Sequence, residues 1–184
     1  SVPEAVNVPE NYSLSFDLKP TGVIPGWGNI LHYTKDGQDN QNESRAPAIW
    51  FIPGTLRLHI RFSTTAHPNE GLDTIDPLPV GAKTTVKIVA IGNVVGVYFN
   101  DTMIGSAILK GKRISGPAYL FASDPWYSPA NAVIGPIDMK ATDSSASLKR
   151  PTPPNELSVS VPEAVNVPEN YSLSFDLKPT GVIP

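Results

Sequence analysis

Apolar and polar residues alternate along several short segments of the chain. In residues 12–18 an apolar side chain occupies every second position, and residues 56–62 show the same period of two. This period is typical of a strand with one buried and one solvated face. No segment has a sustained 3.6-residue pattern, so the sequence predicts little helix.

A two-residue turn signal, Gly92-Asn93, separates two further alternating segments, residues 85–91 and 94–99. A hairpin with this turn has one wholly apolar face. Its register pairs Val86 with Phe99, Ile88 with Val97 and Ala90 with Val95. Other strands are predicted at residues 28–34, 46–51, 102–109, 118–122 and 133–141. Many short strands separated by Pro, Gly and Asn predict an all-β sandwich or barrel.

Composition narrows the possible functions. The chain has 184 residues, 20 of them proline, which favours many short strands bounded by turns. It has no cysteine, which excludes a disulfide framework and a thiolate metal site. A net charge of −3 without a basic stripe argues against nucleic acid as a partner, and no apolar run reaches the length of a membrane span. The lack of a leader peptide and of an initial Met predicts a mature or excised fragment.

The chain contains an internal repeat. Residues 160–184 are identical to residues 1–25, so the period is 159 residues. A period of this length is that of a whole domain and is too long for a solenoid turn. We therefore expect a β-sandwich bead at residues 1–141 and the opening strands of the next identical bead at residues 160–184. An artificial duplication is the alternative.

Residues 142–159 form the predicted linker between beads. They are polar and Ser-rich, then Pro-rich from Pro151 to Pro154. Such a composition cannot bury surface and favours an extended, semi-rigid spacer. A linker without a fixed length is the alternative.

Several segments carry a family resemblance when they are taken together. They are residues 12–27, 29–34, 48–51 and 56–60, the run VKIVAIGNVVGVYFN at 86–100, and YLFASDPW at 119–126. In this order they resemble the laminin G-like and concanavalin A-like jelly-roll superfamily. The resemblance implies a two-sheet antiparallel sandwich whose N- and C-terminal strands lie side by side. Members of this superfamily are often carbohydrate-binding or adhesive modules, some bind calcium at the sandwich rim, and others are glycosidases.

The chain lacks the residues that catalysis would need. The glycosidases of this superfamily carry Glu-x-Asp-x-x-Glu on one strand, and that motif is absent here. The nearest acidic run, residues 70–73, has the wrong spacing and is predicted to lie in a polar loop. His32, His59 and His67 lack metal-ligand spacing, and we expect His32 and His59 to be outward-facing or hydrogen-bonded strand residues. The sequence therefore predicts a protein that is not an enzyme.

Two kinds of ligand site are candidates. Asp36 and Asp39 cluster oxygen ligands in one loop and Asp124 lies in another, so these three residues are a possible Ca²⁺ site, the one cofactor considered. Trp27 and the pair Trp126-Tyr127 are predicted to lie in loops, where their rings could contact a sugar or the next bead. We expect Trp50, inside a strand, to belong to the core.

Sequons predict covalent sugar. Asn-x-Ser/Thr occurs at Asn11, Asn42, Asn100 and Asn170, and Thr152 beside prolines is a candidate for O-linked sugar. Sequons act only in a secretory pathway, so we expect an extracellular, secreted glycoprotein, or else silent sequons.

Two functions remain open from the sequence. The first is a structural subunit of an extracellular glycosylated fibril, in which tandem beads contact copies of themselves, with or without strand exchange between neighbours. The alternative is a carbohydrate-binding, lectin-like module that is repeated for avidity.

Overall fold

A computed structural model describes residues 4–35, 37 and 44–143, and all structural statements concern these residues. They contain twelve strands and no helix, and so no helix with the length and apolarity to cross a bilayer. The linker beyond Asp143 and the repeated segment at residues 160–184 lie outside the described residues, so the predicted domain boundaries stay predictions. The strands are β1 (Glu4–Val8), β2 (Tyr12–Pro20), β3 (Gly28–Thr34), β4 (Arg45–Phe51), β5 (Leu58–Phe62), β6 (Glu70–Asp73), β7 (Thr84–Ile91), β8 (Val94–Phe99), β9 (Thr102–Ile108), β10 (Gly116–Ala122), β11 (Ser128–Pro129) and β12 (Ala132–Ala141).

The strands form two sheets. One has seven strands in the order β1-β10-β3-β4-β5-β6, with the short β11 also beside β3. The other has five strands in the order β12-β2-β7-β8-β9. Neighbouring strands are antiparallel, except for the two-residue pairing of β11 with β3. The predicted all-β, two-sheet sandwich is confirmed.

The core lies between the sheets, and the alternation of apolar and polar residues in the sequence determines which side chains enter it. In β2 every second side chain is buried, beginning at Tyr12, and β5 and β7 alternate in the same way. The predicted hairpin register is confirmed, since Val86 faces Phe99, Ile88 faces Val97 and Ala90 faces Val95. Because the pleat sends alternate residues to opposite faces, the polar residues of β2 lie on the outer surface.

Two predictions about the strands are corrected. Residues 70–73 form the edge strand β6 rather than a polar loop, and Gly71 in it has a φ of +154°. A Cβ at Gly71 would lie 2.0 Å from the backbone oxygen of Ile60, so the close pairing of β6 with β5 depends on glycine. The terminal strands lie side by side only in part: β12 pairs with β2, whereas β1 crosses to the other sheet and pairs with β10.

Candidate functional site

The outer face of the seven-stranded sheet carries a row of polar and aromatic side chains. The strand register places Asn29, Trp50, His59 and Asp73 side by side across β3, β4, β5 and β6. His59 is partly exposed between the buried residues of β5, so its side chain lies on the face opposite the core. Trp50 is only 2% exposed but is not part of the core cluster between the sheets. Trp50 is therefore buried, as expected of a core residue, but on the outer face of the sheet and not between the two sheets.

Three aromatic rings and three polar side chains surround a pocket of about 170 Å³ on this face, which we call the aromatic pocket. Its lining consists of Trp27, Arg45, Trp50, His59, Asn69 and Tyr127. The ring of Trp27, which is 38% exposed, lies 4.5 Å from the ring of His59. Tyr127 contacts Trp50 edge-on, with 5.3 Å between ring centroids. The pocket thus joins an exposed aromatic surface to a small set of hydrogen-bonding groups.

The polar end of the aromatic pocket is a network around Asp73. Its carboxylate lies 2.7 Å from Nδ1 of His59 and 2.8 Å from the guanidinium of Arg61. Burial lowers the pKa of His59 below its usual value, and Arg61 lowers it further, whereas Asp73 opposes both effects. His59 is therefore neutral at pH 7. With its proton on Nδ1, shared with Asp73, its Nε2 is an acceptor.

Arg45 forms another wall of the aromatic pocket. Its guanidinium lies 4.9 Å from the ring centroid of Trp50, in cation–π geometry, and donates a hydrogen bond to Oδ1 of Asn69. The side chain of Trp50 is thereby enclosed between Arg45 and the edge of Tyr127. These contacts fix the aromatic ring before any ligand arrives, which lowers the entropy cost of binding.

Asp124 and His32 form a buried pair beside the aromatic pocket. Nδ1 of His32 lies 2.9 Å from Oδ2 of Asp124, and both side chains are fully buried. Oδ1 of Asp124 accepts hydrogen bonds from the backbone N–H groups of Trp126 and Tyr127, at 3.1 and 2.9 Å. The backbone N–H of Asp124 donates to Oδ1 of Asn29 at 2.8 Å, which ties this loop to β3.

The predicted aromatic residues lie in loops, as expected, but they have different positions. Trp27 and Tyr127 line the aromatic pocket. Trp126 instead packs on His32 and Phe121, at centroid distances of 5.7 and 5.2 Å. The contact between these residues and the next bead stays a prediction.

Of the three predicted calcium ligands, only Asp124 lies within the described residues, so the calcium site stays a prediction. Both carboxylate oxygens of Asp124 accept hydrogen bonds from protein donors. Asp36 and Asp39 lie outside the described residues. Within residues 4–35, 37 and 44–143, no three His, Cys, Asp or Glu side chains are grouped as a metal site.

Two of the predicted sugar-attachment residues can be placed. Asn100 is exposed in the turn after β8, and its Oδ1 accepts a hydrogen bond from the backbone N–H of Thr85 at 2.9 Å. Asn11 is partly exposed, and its Oδ1 accepts from the backbone N–H of Gly92 at 2.8 Å. Each oxygen is held by the backbone, and the amide nitrogen is the atom that a glycan would modify. Asn42, Thr152 and Asn170 lie outside the described residues.

A larger groove, of about 380 Å³, lies where the β7–β8 hairpin turn meets residues 110–113. Arg113 is its buried wall. The guanidinium donates to the backbone oxygens of Gly92 and Glu10, at 3.0 and 2.5 Å, and lies 5.2 Å from the ring centroid of Tyr12. We interpret Arg113 as a structural residue that closes this end of the sandwich.

Sequence reasoning missed Arg45, Trp50, His59 and Asn69 as pocket residues. A signal existed for His59, since the alternation in residues 56–62 places it on the outward face. Nothing in the sequence pattern of β4 marks Trp50, because all seven residues of that strand are buried.

No protein-family model matches the chain, and no curated protein matches it. Solved structures do match. A native heptameric SAP-like pentraxin from Limulus polyphemus is 16% identical, with a TM-score of 0.52 over 77% of this chain and 72% of the pentraxin. Human galectin-16 is 10% identical, with a TM-score of 0.50 over 77% of this chain and 97% of the galectin.

The fold is a jelly-roll sandwich. A Trypanosoma rangeli sialidase, solved with 2,3-difluorosialic acid, shares this sandwich with a TM-score of 0.52 and 10% identity, over 73% of this chain but 21% of the sialidase. At such identities the likeness shows the fold alone, since one sandwich architecture supports many functions. The structures show the jelly-roll fold that the resemblance implies, whereas the laminin G-like and concanavalin A-like superfamily itself stays an expectation.

Proposed function

We propose that the sandwich binds carbohydrate in the aromatic pocket on the outer face of the seven-stranded sheet. The observation that carries the proposal is the exposed ring of Trp27 beside His59, Arg45 and Asn69, with Trp50 and Tyr127 completing the wall. Sugar rings present apolar C–H faces edged by hydroxyl groups. A site with aromatic surface and a few fixed polar groups matches both features.

Asp73 and Arg61, the charged residues behind His59, pair with each other, and Arg45 in the pocket wall donates to the neutral amide of Asn69. His59 is neutral at pH 7, and Asp73 accepts from both His59 and Arg61. The free acceptor of His59 and the amide of Asn69 can bond to hydroxyl groups, which both donate and accept. Neutral sugars are therefore the proposed ligand class, and binding rather than catalysis is the proposed activity.

The pocket volume corresponds to about one sugar ring. A hexose has about twelve non-hydrogen atoms, and about 0.3 kcal/mol per atom gives about 4 kcal/mol of binding free energy. This corresponds to a dissociation constant of about 1 mM. Single-site binding should be weak, and tandem beads would raise the apparent affinity through effective concentration.

Support also comes from the fold. The concanavalin A-like resemblance of the sequence implies a carbohydrate-binding or adhesive module. The resemblance does not identify the pocket, so the test must address Trp27 directly.

A panel of immobilised neutral tetrasaccharides (cellotetraose, mannotetraose and lacto-N-tetraose) tests the proposal with enzymatically deglycosylated protein. We expect binding by the native chain and at least tenfold weaker binding by Trp27→Ala. Tyr119→Ala is the matched control, because Tyr119 is an exposed aromatic residue of β10 that does not line the pocket. If the native chain binds no member of the panel, or if both variants lose binding equally, the proposal is wrong.

A second candidate is a structural subunit of an extracellular glycosylated fibril, and the exact repetition of residues 1–25 at 160–184 favours it. In this proposal copies of the sandwich follow one another as beads, and neighbours exchange or add strands. N-linked sugar at Asn100 and Asn11 would cover the ends of the β7–β8 hairpin and keep the filament soluble.

Intact mass and electron imaging of native material, before and after deglycosylation, test the fibril. A large loss of mass together with regularly spaced beads would support it. A chain of unchanged mass that images as single particles would exclude it and leave carbohydrate binding as the sole proposal.

A further inference from the structure

Three N–H groups converge on one buried carboxylate at Asp124. His32 donates from the strand β3, and the backbone N–H groups of Trp126 and Tyr127 donate from the loop that follows Asp124. A buried carboxylate is costly unless its oxygens are hydrogen-bonded, and these donors satisfy both of them. The geometry therefore suits a carboxylate whose two oxygens accept hydrogen bonds from the loop backbone and from Nδ1 of His32.

The same bonds fix the loop that carries Tyr127. A carboxylate that accepts from the residues two and three positions later closes a tight turn. The indole of Trp126 then covers His32 and Phe121, and Tyr127 is directed against Trp50 in the aromatic pocket. His32 itself lies edge-on to Trp50, at 5.6 Å between centroids.

We propose that Asp124 and His32 form a positioning pair for the aromatic pocket. Neither residue lines the pocket, so neither would touch a ligand. The pair fixes the turn at residues 124–127 and, through it, the contact of Tyr127 with Trp50. The inference rests on the proposed carbohydrate site for its functional meaning, but the positioning itself can be measured without a ligand.

The chain has three tryptophans, so 5-fluorotryptophan labelling gives three ¹⁹F resonances, which single Trp→Phe variants assign. In Asp124→Ala we expect the resonances of Trp126 and Trp50 to shift or broaden while that of Trp27 stays unchanged. Asp124→Asn should restore the native spectrum, because its amide oxygen still accepts from the two backbone N–H groups and His32 can adopt the other tautomer.

A second experiment measures binding of the same neutral tetrasaccharides by the native chain and the Asp124 variants. We expect Asp124→Ala to bind at least tenfold more weakly than the native chain and Asp124→Asn to bind within threefold of it. Asp17→Ala is the control for removal of a carboxylate, since Asp17 lies on the other sheet in an exposed ion pair with Lys83. If Asp124→Ala does not fold, Asp124→Ser replaces it. A Ser hydroxyl can still close the turn but cannot reach His32, so this variant should show the smaller change that follows from loss of the His32 bond alone.

The outcomes separate the two proposals. A native chain that binds no sugar, with the expected ¹⁹F changes, removes the carbohydrate site and keeps the positioning of the loop. Unchanged ¹⁹F spectra overturn the positioning pair, and so does equal binding by Asp124→Ala and a native chain that does bind sugar. An equal shift of the Trp27 resonance would show a general loss of structure and would also overturn it.

Discussion

Replacement of Phe16 by Ala should reveal how far the sandwich depends on β2. Phe16 is 2% exposed, and it lies between Val86 of β7 and Ile137 of β12 in the five-stranded sheet. Removal of a fully buried Phe ring costs about 3–5 kcal/mol, because the lost transfer free energy is increased by the cavity that remains. At about 2–4 °C per kcal/mol, Tm should fall by about 6–20 °C.

Thermal unfolding, monitored by circular dichroism, measures this change. The repeated segment of the chain provides a matched control. Phe175 is the sequence equivalent of Phe16 in the repeated segment. If residues 1–25 complete the described sandwich, Phe175→Ala should leave its Tm within about 1 °C of the native value. The reasoning is refuted if Phe16→Ala is as stable as the native chain, or if only the double variant loses stability, since the second copy would then supply the strand.

Three further predictions concern stability. Gly71→Ala should lower the free energy of unfolding by about 1–3 kcal/mol, because the new Cβ would collide with the backbone of Ile60. Urea unfolding measures this change, and Gly26→Ala is the control because no atom lies near its Cβ position. Arg113→Ala should cost about 2–4 kcal/mol because two backbone oxygens lose a charged donor, whereas exposed Lys110→Ala should stay within about 0.5 kcal/mol. The pKa of His59 is lower in the folded chain than in the unfolded chain, so the unfolded chain binds more protons below about pH 6.5. The free energy of unfolding should therefore decrease as the pH falls from about 6.5 to the folded pKa. His59→Gln should reduce this dependence in Tm measurements from pH 7.5 to 5.

The strands that alternate strictly could be predicted from the sequence. β3 has the predicted bounds, and the β7–β8 hairpin has the predicted register, because Gly92-Asn93 fixes the turn and an apolar face fixes the pairing. β1 and β6 were not predicted. Both are short and neither alternates between buried and exposed residues, so neither shows the contrast between two faces on which the prediction depends.

The aromatic pocket could be predicted only in part. Its residues come from loops and strands between positions 27 and 127, and only the strand order of the folded sheet brings them together. Trp27 and Tyr127 were predicted to be contact residues because aromatic side chains in loops can remain accessible to a ligand. Trp50 and Arg45 were not predicted, because both faces of β4 are covered and their environment depends on partners distant in sequence.

The central position of β2 has a consequence for synthesis on the ribosome. β2 lies between β7 and β12, and β12 ends 50 residues after β7 ends. At about 5–20 residues per second, one edge of β2 would therefore remain without its partner for about 2–10 s after β7 has emerged. An open strand edge with a fully apolar face pairs readily with other chains. The interval before β12 arrives is thus a period in which a nascent chain can aggregate through this one open edge.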